Sequence, residues 1–519
     1  MWARPGRPPH GLALDLPMAY DLPMMKHQRS CGVLLHPISF YGPHGIGCLG
    51  AEAREILNRF RQAGVTLWQI LPLGPTGYGD SPYSALSAFA GNELLIDVRT
   101  LPGADLSALD NRDTQRVDYG VVRQQKMSAL MLCADTFIAR AGTAERREFE
   151  AFCRRNAFWL DDYALYRVLC EVHNDTRPFM WPKPEARRQP QTIEKLTARH
   201  AAQIERWKVL QFFFRRQWDA LHAYANSLGM KIIGDIPIFC AQDSVDVWCN
   251  PALFNLDKNG MADKIAGVPP DAFSATGQLW GNPTYNWPEH EKDGFAWWKS
   301  RMTQTLSLVD IVRIDHFRGF EACWEVPQGA GTAAAGHWVK GPGMKLFKAL
   351  GRNLPVIAED LGVITDEVRE LLRQTGYPGM AVLQFAFWLK DGKLEQKNAY
   401  LPHMLDSNIV AYTGTHDNDT TRSWYDWQDE ATKDMLRRYF QCPDSDIVWQ
   451  MIRTLLMSRA DYVIIPAQDI AGLGQEGRMN QPSTVGTSNW SWRLGRDDIR
   501  DWMFERLREM NSLYGRDGE

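Results

Sequence analysis

Eight short runs of mostly apolar residues recur along the chain. Between several of them lie stretches with the periodicity of an amphipathic helix, such as 51–63 and 209–228, and the latter is followed by the helix-stopping Gly229. Nearly continuous apolar strands that alternate with helices are typical of a parallel sheet, and eight of them favour a closed barrel. We therefore predict an α/β fold, a (β/α)8 TIM barrel, with strands at 31–38, 65–71, 231–238, 310–315, 355–359, 380–387, 408–413 and 461–466.

The predicted strands are unevenly spaced along a catalytic barrel that spans residues 31–495. The long gap between the second and third strands is helical in pattern, so we predict a mainly helical insertion at 85–230. A second insertion, 241–300, is rich in Asn, Pro, Gly and Trp and is expected to be irregular structure at the barrel mouth. Residues 496–519 leave room for a C-terminal helix but not for a β-sandwich domain, and the proline-rich residues 1–30 are expected to be a poorly ordered extension.

Composition and charge exclude several classes of partner. The formal net charge of −4 over 519 residues offers no basic surface for nucleic acid. No apolar run approaches the ~20 residues of a membrane span, and the N-terminus lacks the core of a signal peptide. The nine cysteines are scattered without a Cys-x-x-Cys pair, which indicates a reducing, cytoplasmic location. We expect neither a nucleic-acid nor a membrane partner, and the oligomeric state stays open.

Three of the predicted strands lead into acidic residues, namely Asp315, Glu359 and Asp417. Because the carboxyl ends of the strands of a parallel barrel converge on one face, these acids can surround one substrate, as glycosidic-bond chemistry requires. Arg313 lies on the same strand face as Asp315 and favours its ionised form, which suits a nucleophile. Glu359 ends an apolar strand, so burial and a negative neighbour predict a raised pKa and a protonated acid. We expect Asp417, beside His416, to bind sugar hydroxyls and to supply that like charge.

The alternative for these residues is structural, with Arg313 and Asp315 as a salt bridge of the barrel and Glu359 as a helix cap. Two glycine-rich strings, 45–50 and 472–477, also match the dinucleotide-binding pattern G-x-G-x-x-G. The first does not directly follow a strand and lacks an acid for a ribose about 20 residues on, and the second is followed by proline and glycine instead of a helix.

Residues 417–419 (Asp-Asn-Asp) resemble the start of a calcium loop. However, Arg422 stands where such a loop requires glycine. We therefore predict no metal ion, and no nucleotide or other cofactor.

A series of short strings runs in one order between about residues 32 and 493. They are 45–47 (Gly-Ile-Gly), 79–83 (Gly-Asp-Ser-Pro-Tyr), 87–92 (Ser-Ala-Phe-Ala-Gly-Asn), 234–238 (Gly-Asp-Ile-Pro-Ile), 277–283 (Gly-Gln-Leu-Trp-Gly-Asn-Pro), 313–319 (Arg-Ile-Asp-His-Phe-Arg-Gly), 358–362 (Ala-Glu-Asp-Leu-Gly) and 413–419 (Thr-Gly-Thr-His-Asp-Asn-Asp). With these strings the chain resembles 4-α-glucanotransferases of the amylomaltase or disproportionating-enzyme type, in the α-amylase clan.

The resemblance implies Asp315 as nucleophile, Glu359 as acid/base and Asp417 as the third acid that stabilises the transition state. It implies a retaining double displacement through a covalent glycosyl-enzyme, which moves a segment of an α-1,4-glucan donor to the 4-hydroxyl of glucose or of a glucan acceptor. The substrate-binding residues implied are Tyr83, Asp235, Arg313, His316 and His416 on the donor side and Gln278, Trp280 and Asn282 on a loop over the acceptor side. Segments 478–480 and 489–493 are assigned to more distant glucan contacts.

The three acids do not separate transfer from hydrolysis, because that choice depends on excluding water. Segments 267–270 and 277–283 are candidates for a lid that carries Trp280, and a rigid loop is the alternative. A hydrolytic α-glucanase is a second possible function, disfavoured by the missing C-terminal β domain. A non-catalytic glucan-binding protein is a third, disfavoured by the intact acids.

Overall fold

The structure, a computed structural model, describes residues 28–107, 109, 113–270, 274–390 and 392–518. Eight parallel strands form one sheet, in which strands adjacent in chain order pair, except the fifth and the sixth, and the last strand pairs with the first. The strands are β1 Ser30–Leu34, β2 Leu67–Gln69, β3 Lys231–Pro237, β4 Ile311–Asp315, β5 Val356–Ala358, β6 Gly379–Val382, β7 Ile409–Tyr412 and β8 Tyr462–Pro466. Ala358 N donates to Pro378 O at 2.9 Å between β5 and β6, the two ends of the sheet. The predicted (β/α)8 barrel is confirmed.

Helices connect most of the strands. The α-helices are Ala51–Gln62, Tyr119–Arg140, Thr143–His173, Lys183–Ala186, Pro190–Arg199, Ala201–Ser227, Val245–Cys249, Trp287–Lys292, Ala296–Leu306, Met344–Leu350, Asp366–Thr375, Thr421–Asp426, Glu430–Phe440, Ile447–Met457, Ala467–Ile470 and Asp501–Leu513. Short 3-10 turns lie at Pro37–Ser39, Tyr78–Asp80, Pro82–Ser84, Glu93–Leu95, Val98–Thr100, Pro178–Met180, Pro251–Leu253, Phe317–Phe320, Ala333–Ala335, Leu383–Phe385, Pro402–Met404, Asp444–Asp446 and Gln475–Gly477. Two antiparallel strands of two residues each, Leu389–Lys390 and Lys393–Leu394, follow β6.

Several predicted strands are too long. β1 ends at Leu34 and is followed by the turn Pro37–Ser39, while β6 ends at Val382 before the turn Leu383–Phe385. These turns are largely buried, so their residues continue the apolar pattern of the strand. Periodicity alone does not separate a buried strand from the buried turn after it.

The connection between β2 and β3 is mainly helical, as predicted. Its helices Tyr119–Arg140, Thr143–His173 and Ala201–Ser227 pack together, and the rings of Phe137 and Phe212 meet at 5.7 Å between centroids. Aromatic pairs of this kind contribute about 0.5–1.5 kcal/mol each beyond the area that they bury. The buried apolar residues of this insertion and of the barrel form one continuous core.

A buried acid links the insertion to the loops of the barrel. Glu93 accepts hydrogen bonds from Tyr163 Oη and, at 2.9 Å, from Gln211 Nε2, and Arg167 Nη1 lies 3.5 Å from its other oxygen. Because a buried carboxylate is tolerated only when it is paired, these contacts hold the turn Glu93–Leu95 in place against two insertion helices.

Residues 241–300 contain regular elements beside the irregular structure that was predicted at the barrel mouth. The segment includes short helices, and it contributes two strands to a four-stranded antiparallel sheet, in the order Gln278–Pro283, Lys264–Val268, Ala322–Pro327 and His337–Lys340. The central pairing depends on residues after β4, far away in sequence, so the local pattern does not reveal it. The proposed lid segments are therefore largely paired strands.

The glycines at 45–50 permit close packing instead of nucleotide binding. A Cβ atom at Gly47 would lie 1.9 Å from Pro37 O, and one at Gly50 would lie 2.0 Å from Asp97 Oδ2. Gly50 is the N-cap of the helix Ala51–Gln62. An acidic side chain thus already occupies the positive end of this helix, where a phosphate would have to bind.

The chain termini differ in part from the prediction. Residues 1–27 lie outside the described residues, and with them most of the expected extension at 1–30. Arg29 donates to three backbone carbonyl oxygens, and Ser30 already belongs to β1. Near the C-terminus the helix is Asp501–Leu513. In the described part of the chain, no helix has the length and apolarity to cross a bilayer.

Candidate active site

The carboxyl ends of β3, β4 and β5 bring three acids and one arginine together. Strand register makes Asp235 and Arg313 neighbours, and Asp315 is the last residue of β4. Arg313 Nη1 lies 2.6 Å from Asp235 Oδ2, and Arg313 Nη2 lies 3.0 Å from Asp315 Oδ1. Glu359 directly follows β5, and its backbone N–H donates to Ile314 O at 3.0 Å. The structure thus places Arg313 against Asp315, as predicted, and adds Asp235 to the pair.

Arg313 is the central positive charge of this group and is only 3% exposed. Burial disfavours a charged guanidinium, but the negative charges of Asp235 and Asp315 outweigh burial and raise the pKa of Arg313. A buried cation between two carboxylates restrains both of them, because moving either away would weaken the compensation of a buried charge. This arrangement orients the Asp315 carboxylate at the mouth of the barrel.

Glu359 has the environment of a general acid. Burial disfavours its carboxylate, the negative charge of Asp315 adds to this effect, and together they raise the pKa of Glu359. Arg313 and two backbone N–H groups oppose the shift: His316 N donates to Oε2 at 2.7 Å and Leu361 N donates to Oε1 at 2.8 Å. The strongest like charge on Glu359 is that of Asp315, whereas the sequence pattern had indicated Asp417.

His316 turns the chain so that its backbone can reach Glu359. Its φ of 54° and ψ of 50° lie in the left-handed region, which costs a residue other than glycine about 1–3 kcal/mol. Burial lowers the pKa of His316 to about 3, so its imidazole is neutral near pH 7. Trp280 meets this imidazole edge-to-face at 4.8 Å, and Nε2 has no protein hydrogen-bond partner among the described residues.

Tyr83, His416 and Trp490 form an aromatic wall beside the acids. Tyr83 stacks on His416 with ring centroids 4.9 Å apart and planes 15° apart, and Trp490 lies 5.7 Å and 5.8 Å from the two rings. The Tyr83 hydroxyl donates at 2.7 Å to Asp235 Oδ2, the same oxygen that Arg313 binds. The wall is therefore attached to the charged group, and flat rings of this kind suit a sugar ring.

Asp417 lies on the loop after β7, and its side chain is 48% exposed. Asn480 Nδ2 donates to Asp417 Oδ1 at 2.7 Å, and His416 Nε2 lies 3.4 Å from Oδ2. The neighbouring Asn418 Oδ1 accepts from Thr415 N and Oγ1, both at 2.9 Å, so its oxygen is engaged within the loop. Within the described residues, no cluster of three or more potential metal ligands occurs here or elsewhere.

Gln278, Trp280 and Asn282 lie on the outer strand of the antiparallel sheet, Gln278–Pro283. Trp280 reaches the acids through His316, and Gln278 Oε1 accepts a hydrogen bond from Trp280 Nε1 at 3.2 Å. Asn282 Nδ2 instead donates to Cys240 O at 3.0 Å, so its amide is bound to the protein itself. The structure brings Trp280 and Gln278 together but engages Asn282 elsewhere.

The sequence pattern did not predict that three further residues lie close to the acids. Asn480 and Trp490 lie in segments that were assigned to distant glucan contacts, yet they contact Asp417 and the aromatic wall. Asp469, three residues after β8, binds the loop that carries Asp417. The pattern of an apolar strand followed by an acid would have included Asp469, whereas nothing in the local pattern distinguishes Asn480.

Known proteins resemble this chain over most of its length. The model of the family described as 4-alpha-glucanotransferase matches residues 35–497. The chain is 44% identical over 499 residues to a 4-alpha-glucanotransferase of Thermus thermophilus, covering 94% of this chain and 99% of the relative, and 43% identical over 505 residues to one of Synechocystis, covering 95% and 99%. The solved amylomaltase of Streptococcus agalactiae in complex with acarbose superimposes with a TM-score of 0.90 at 35% identity, covering 94% of this chain and 99% of that one. The chain therefore belongs to the 4-alpha-glucanotransferase family, retaining transferases of the α-amylase clan.

Proposed function

We propose that Asp315, Glu359 and Asp417 carry out the transfer of α-1,4-glucan segments in this enzyme. The observation that carries this assignment is the pairing of two unlike carboxyl groups on adjacent strands. Asp315 is bound by the buried Arg313, while burial and the charge of Asp315 raise the pKa of Glu359. Groups whose environments differ in this way divide into a nucleophile and an acid.

In the first step Asp315 attacks the anomeric carbon of the donor sugar. The glycosidic C–O bond breaks, and the proton of Glu359 passes to the departing oxygen, which leaves as the free 4-hydroxyl of the released chain. The donor segment is then bound to Asp315 as a glycosyl ester, and Glu359 is a carboxylate. We assign Asp417 to the hydroxyls of the same sugar, where its negative charge stabilises the positive charge that develops in the transition state.

In the second step the acceptor replaces the released chain. Glu359 takes the proton from the 4-hydroxyl of a glucan or of glucose, and that oxygen attacks the anomeric carbon and displaces Asp315. Two displacements at one carbon restore the α configuration, so the new bond is again α-1,4. The enzyme returns to its starting protonation without a net change in the number of glycosidic bonds.

The remaining contacts of the sugar are assigned from the geometry of the wall. We propose that the donor sugar lies against Tyr83 and binds Arg313, Asp235, His316 and His416, which surround the acids. On the acceptor side we propose Gln278, Trp280 and Asn282, with Asn282 acting through the position of its strand because its amide binds Cys240 O.

The nine cysteines, all within the described residues, form no disulfides, which supports a cytoplasmic location.

The test is to incubate the protein with maltotriose alone and to follow products by chain length and by total reducing ends. Disproportionation should give glucose and chains longer than the substrate while reducing ends stay constant. Asp315→Asn and Glu359→Gln should each lower kcat by about 10²–10⁴-fold or more, because each removes one partner of the double displacement. Shorter products with rising reducing ends would instead identify a hydrolase. Binding of glucan without turnover would identify a binding protein.

A further inference from the structure

A single buried carboxylate holds both ends of the loop that carries Asp417. Asp469 Oδ2 accepts from Thr413 Oγ1 at 2.5 Å and from Thr421 Oγ1 at 2.6 Å, and Asp469 Oδ1 accepts from Thr421 N at 2.7 Å. Thr413 directly follows β7, and Thr421 begins the helix Thr421–Asp426. The loop that contains His416 and Asp417 is therefore closed at its base by one side chain from the connection after β8.

The burial of Asp469 is costly and calls for a physical reason. It is 1% exposed, and among the described residues its recorded partners are the two threonines, with no lysine or arginine bonded to it. Burial raises the pKa of Asp469, and its hydrogen bonds to Thr413 and Thr421 oppose that shift. A buried acid of this kind is tolerated because it accepts three hydrogen bonds, and those three bonds fix the width of the loop base.

The same connection also holds the tip of the loop. Arg478 Nη2 donates to Asp417 O at 3.4 Å, and Arg478 Nη1 lies 3.5 Å from Asp419 Oδ2. Asn480 binds the Asp417 carboxylate itself at 2.7 Å. The connection after β8 therefore restrains the loop at its base through Asp469 and at its tip through Arg478 and Asn480.

We propose that Asp469 is a positioning residue for Asp417. Asp315 lies on a strand and Glu359 directly follows one, whereas Asp417 lies five residues beyond the end of β7 with a half-exposed side chain. Its position therefore depends on how the loop is held, and a misplacement of about 1 Å can cost about 10²-fold in rate. The inference rests on the proposed role of Asp417.

The test compares two substitutions of Asp469 in the full-length enzyme. Asp469→Ala removes the clamp and should lower kcat for maltotriose about 10- to 100-fold, with KM changed less than about threefold. Asp469→Asn should keep kcat within about threefold, because its oxygen still accepts from Thr421 N and its NH2 can donate to the threonine hydroxyls, which then accept. Equal losses in both variants would point to the negative charge instead of the position and would overturn the proposal.

A matched control lies at the opposite end of the barrel. Asp310, just before β4, likewise accepts hydrogen bonds from Ile232 N, Asn226 Nδ2 and His222 Nε2, at 2.8 to 3.1 Å, and Lys231 Nζ lies 3.4 Å from its Oδ1. Asp310→Ala should lower the thermal midpoint of unfolding without changing kcat. If it lowers kcat as much as Asp469→Ala does, the effect is general destabilisation and the proposal fails.

A double-mutant cycle with Asp417→Asn, measured as fluoride release from an α-glycosyl fluoride donor, shows whether Asp469 acts through Asp417. The Asp469→Ala loss should shrink to less than about threefold in the Asp417→Asn background, and full additivity would refute the proposal. If Asp469→Ala does not fold, Thr421→Val replaces it, because it removes one of the hydroxyl donors to Asp469. Its loss of activity should be smaller and should likewise shrink in the Asp417→Asn background. Wild-type kcat in Asp417→Asn would overturn the proposed role of Asp417, whereas a loss there combined with wild-type kcat in Asp469→Ala would overturn only the positioning role.

Discussion

Two parts of the catalytic face are held in place in opposite ways. In the corner formed by β3, β4 and β5, the register of neighbouring strands places Asp235, Arg313 and Asp315, and the charges of Asp235 and Arg313 are buried. On the loop after β7, Asp417 is half exposed, and its side chain is held by a residue 63 positions away in the chain. We therefore expect substitutions in the corner to lower both activity and stability, and substitutions of the Asp417 side chain to lower activity at little cost to the fold.

The largest expected effect separates these two regions by stability. Asp235→Ala should lower the free energy of unfolding by about 3–5 kcal/mol, because it removes one of the two acids bonded to the buried Arg313. Asp417→Asn should change it by less than about 1 kcal/mol, because the side chain is half exposed. Both should lower kcat. The measurement is chemical denaturation of the two variants beside the wild type.

If Asp417→Asn destabilises the protein as much as Asp235→Ala does, the loop is part of the same rigid unit as the corner, and the comparison fails. A substitution of Tyr83 provides a control of intermediate size. Tyr83→Phe removes only the hydroxyl that donates to Asp235 and keeps the stacking on His416, so its loss of stability should lie between the other two.

The next effect concerns pH. Burial and the charge of Asp315 raise the pKa of Glu359 to about 8. The first step needs the protonated acid, so kcat/KM should stay high through neutral pH and then fall tenfold per pH unit above that value. A pH profile of kcat/KM for maltotriose checks this. A fall that begins near the ordinary glutamate value of about 4.3 would show that the corner does not hold the proton.

The smallest effect concerns Trp280. It lies edge-to-face on His316 and so borders the corner from the antiparallel sheet. Trp280→Ala should admit water and increase the ratio of hydrolysis to transfer a fewfold, with little change in stability, because Trp280 is only partly buried. The ratio follows from reducing ends released per chain transferred. Leu279→Ala, at the exposed neighbouring position, is the control and should leave the ratio unchanged.

Much of the fold follows from local pattern, and the failures have identifiable physical causes. The apolar runs located all eight barrel strands, although buried turns after β1 and β6 made two of them too long. The antiparallel sheet was missed because Lys264–Val268 pairs with Ala322–Pro327, a partner that lies on the other side of β4. Local periodicity carries no information about such a pairing.

The candidate site shows the same division. Arg313 and Asp315 were placed together by the alternation of side chains along one strand, which is a local property. The charge that raises the pKa of Glu359 was assigned to Asp417, but the structure gives the strongest share to Asp315. Proximity between strands sets the size of a charge interaction, and sequence order does not encode that proximity.

By itself, the sequence determined the barrel, the strand ends on which the acids lie, and the strings that the chain shares with its family. These depend on apolar periodicity and on residue identity, both of which are local. Only the tertiary structure decided that Arg313 bridges two carboxylates, that Tyr83 is attached to Asp235, and that the β8 connection holds the loop of Asp417. Apart from the Arg313–Asp315 pair within β4, each of these contacts joins residues from different strands or strand connections, because burying a charge requires partners that the folded chain brings together.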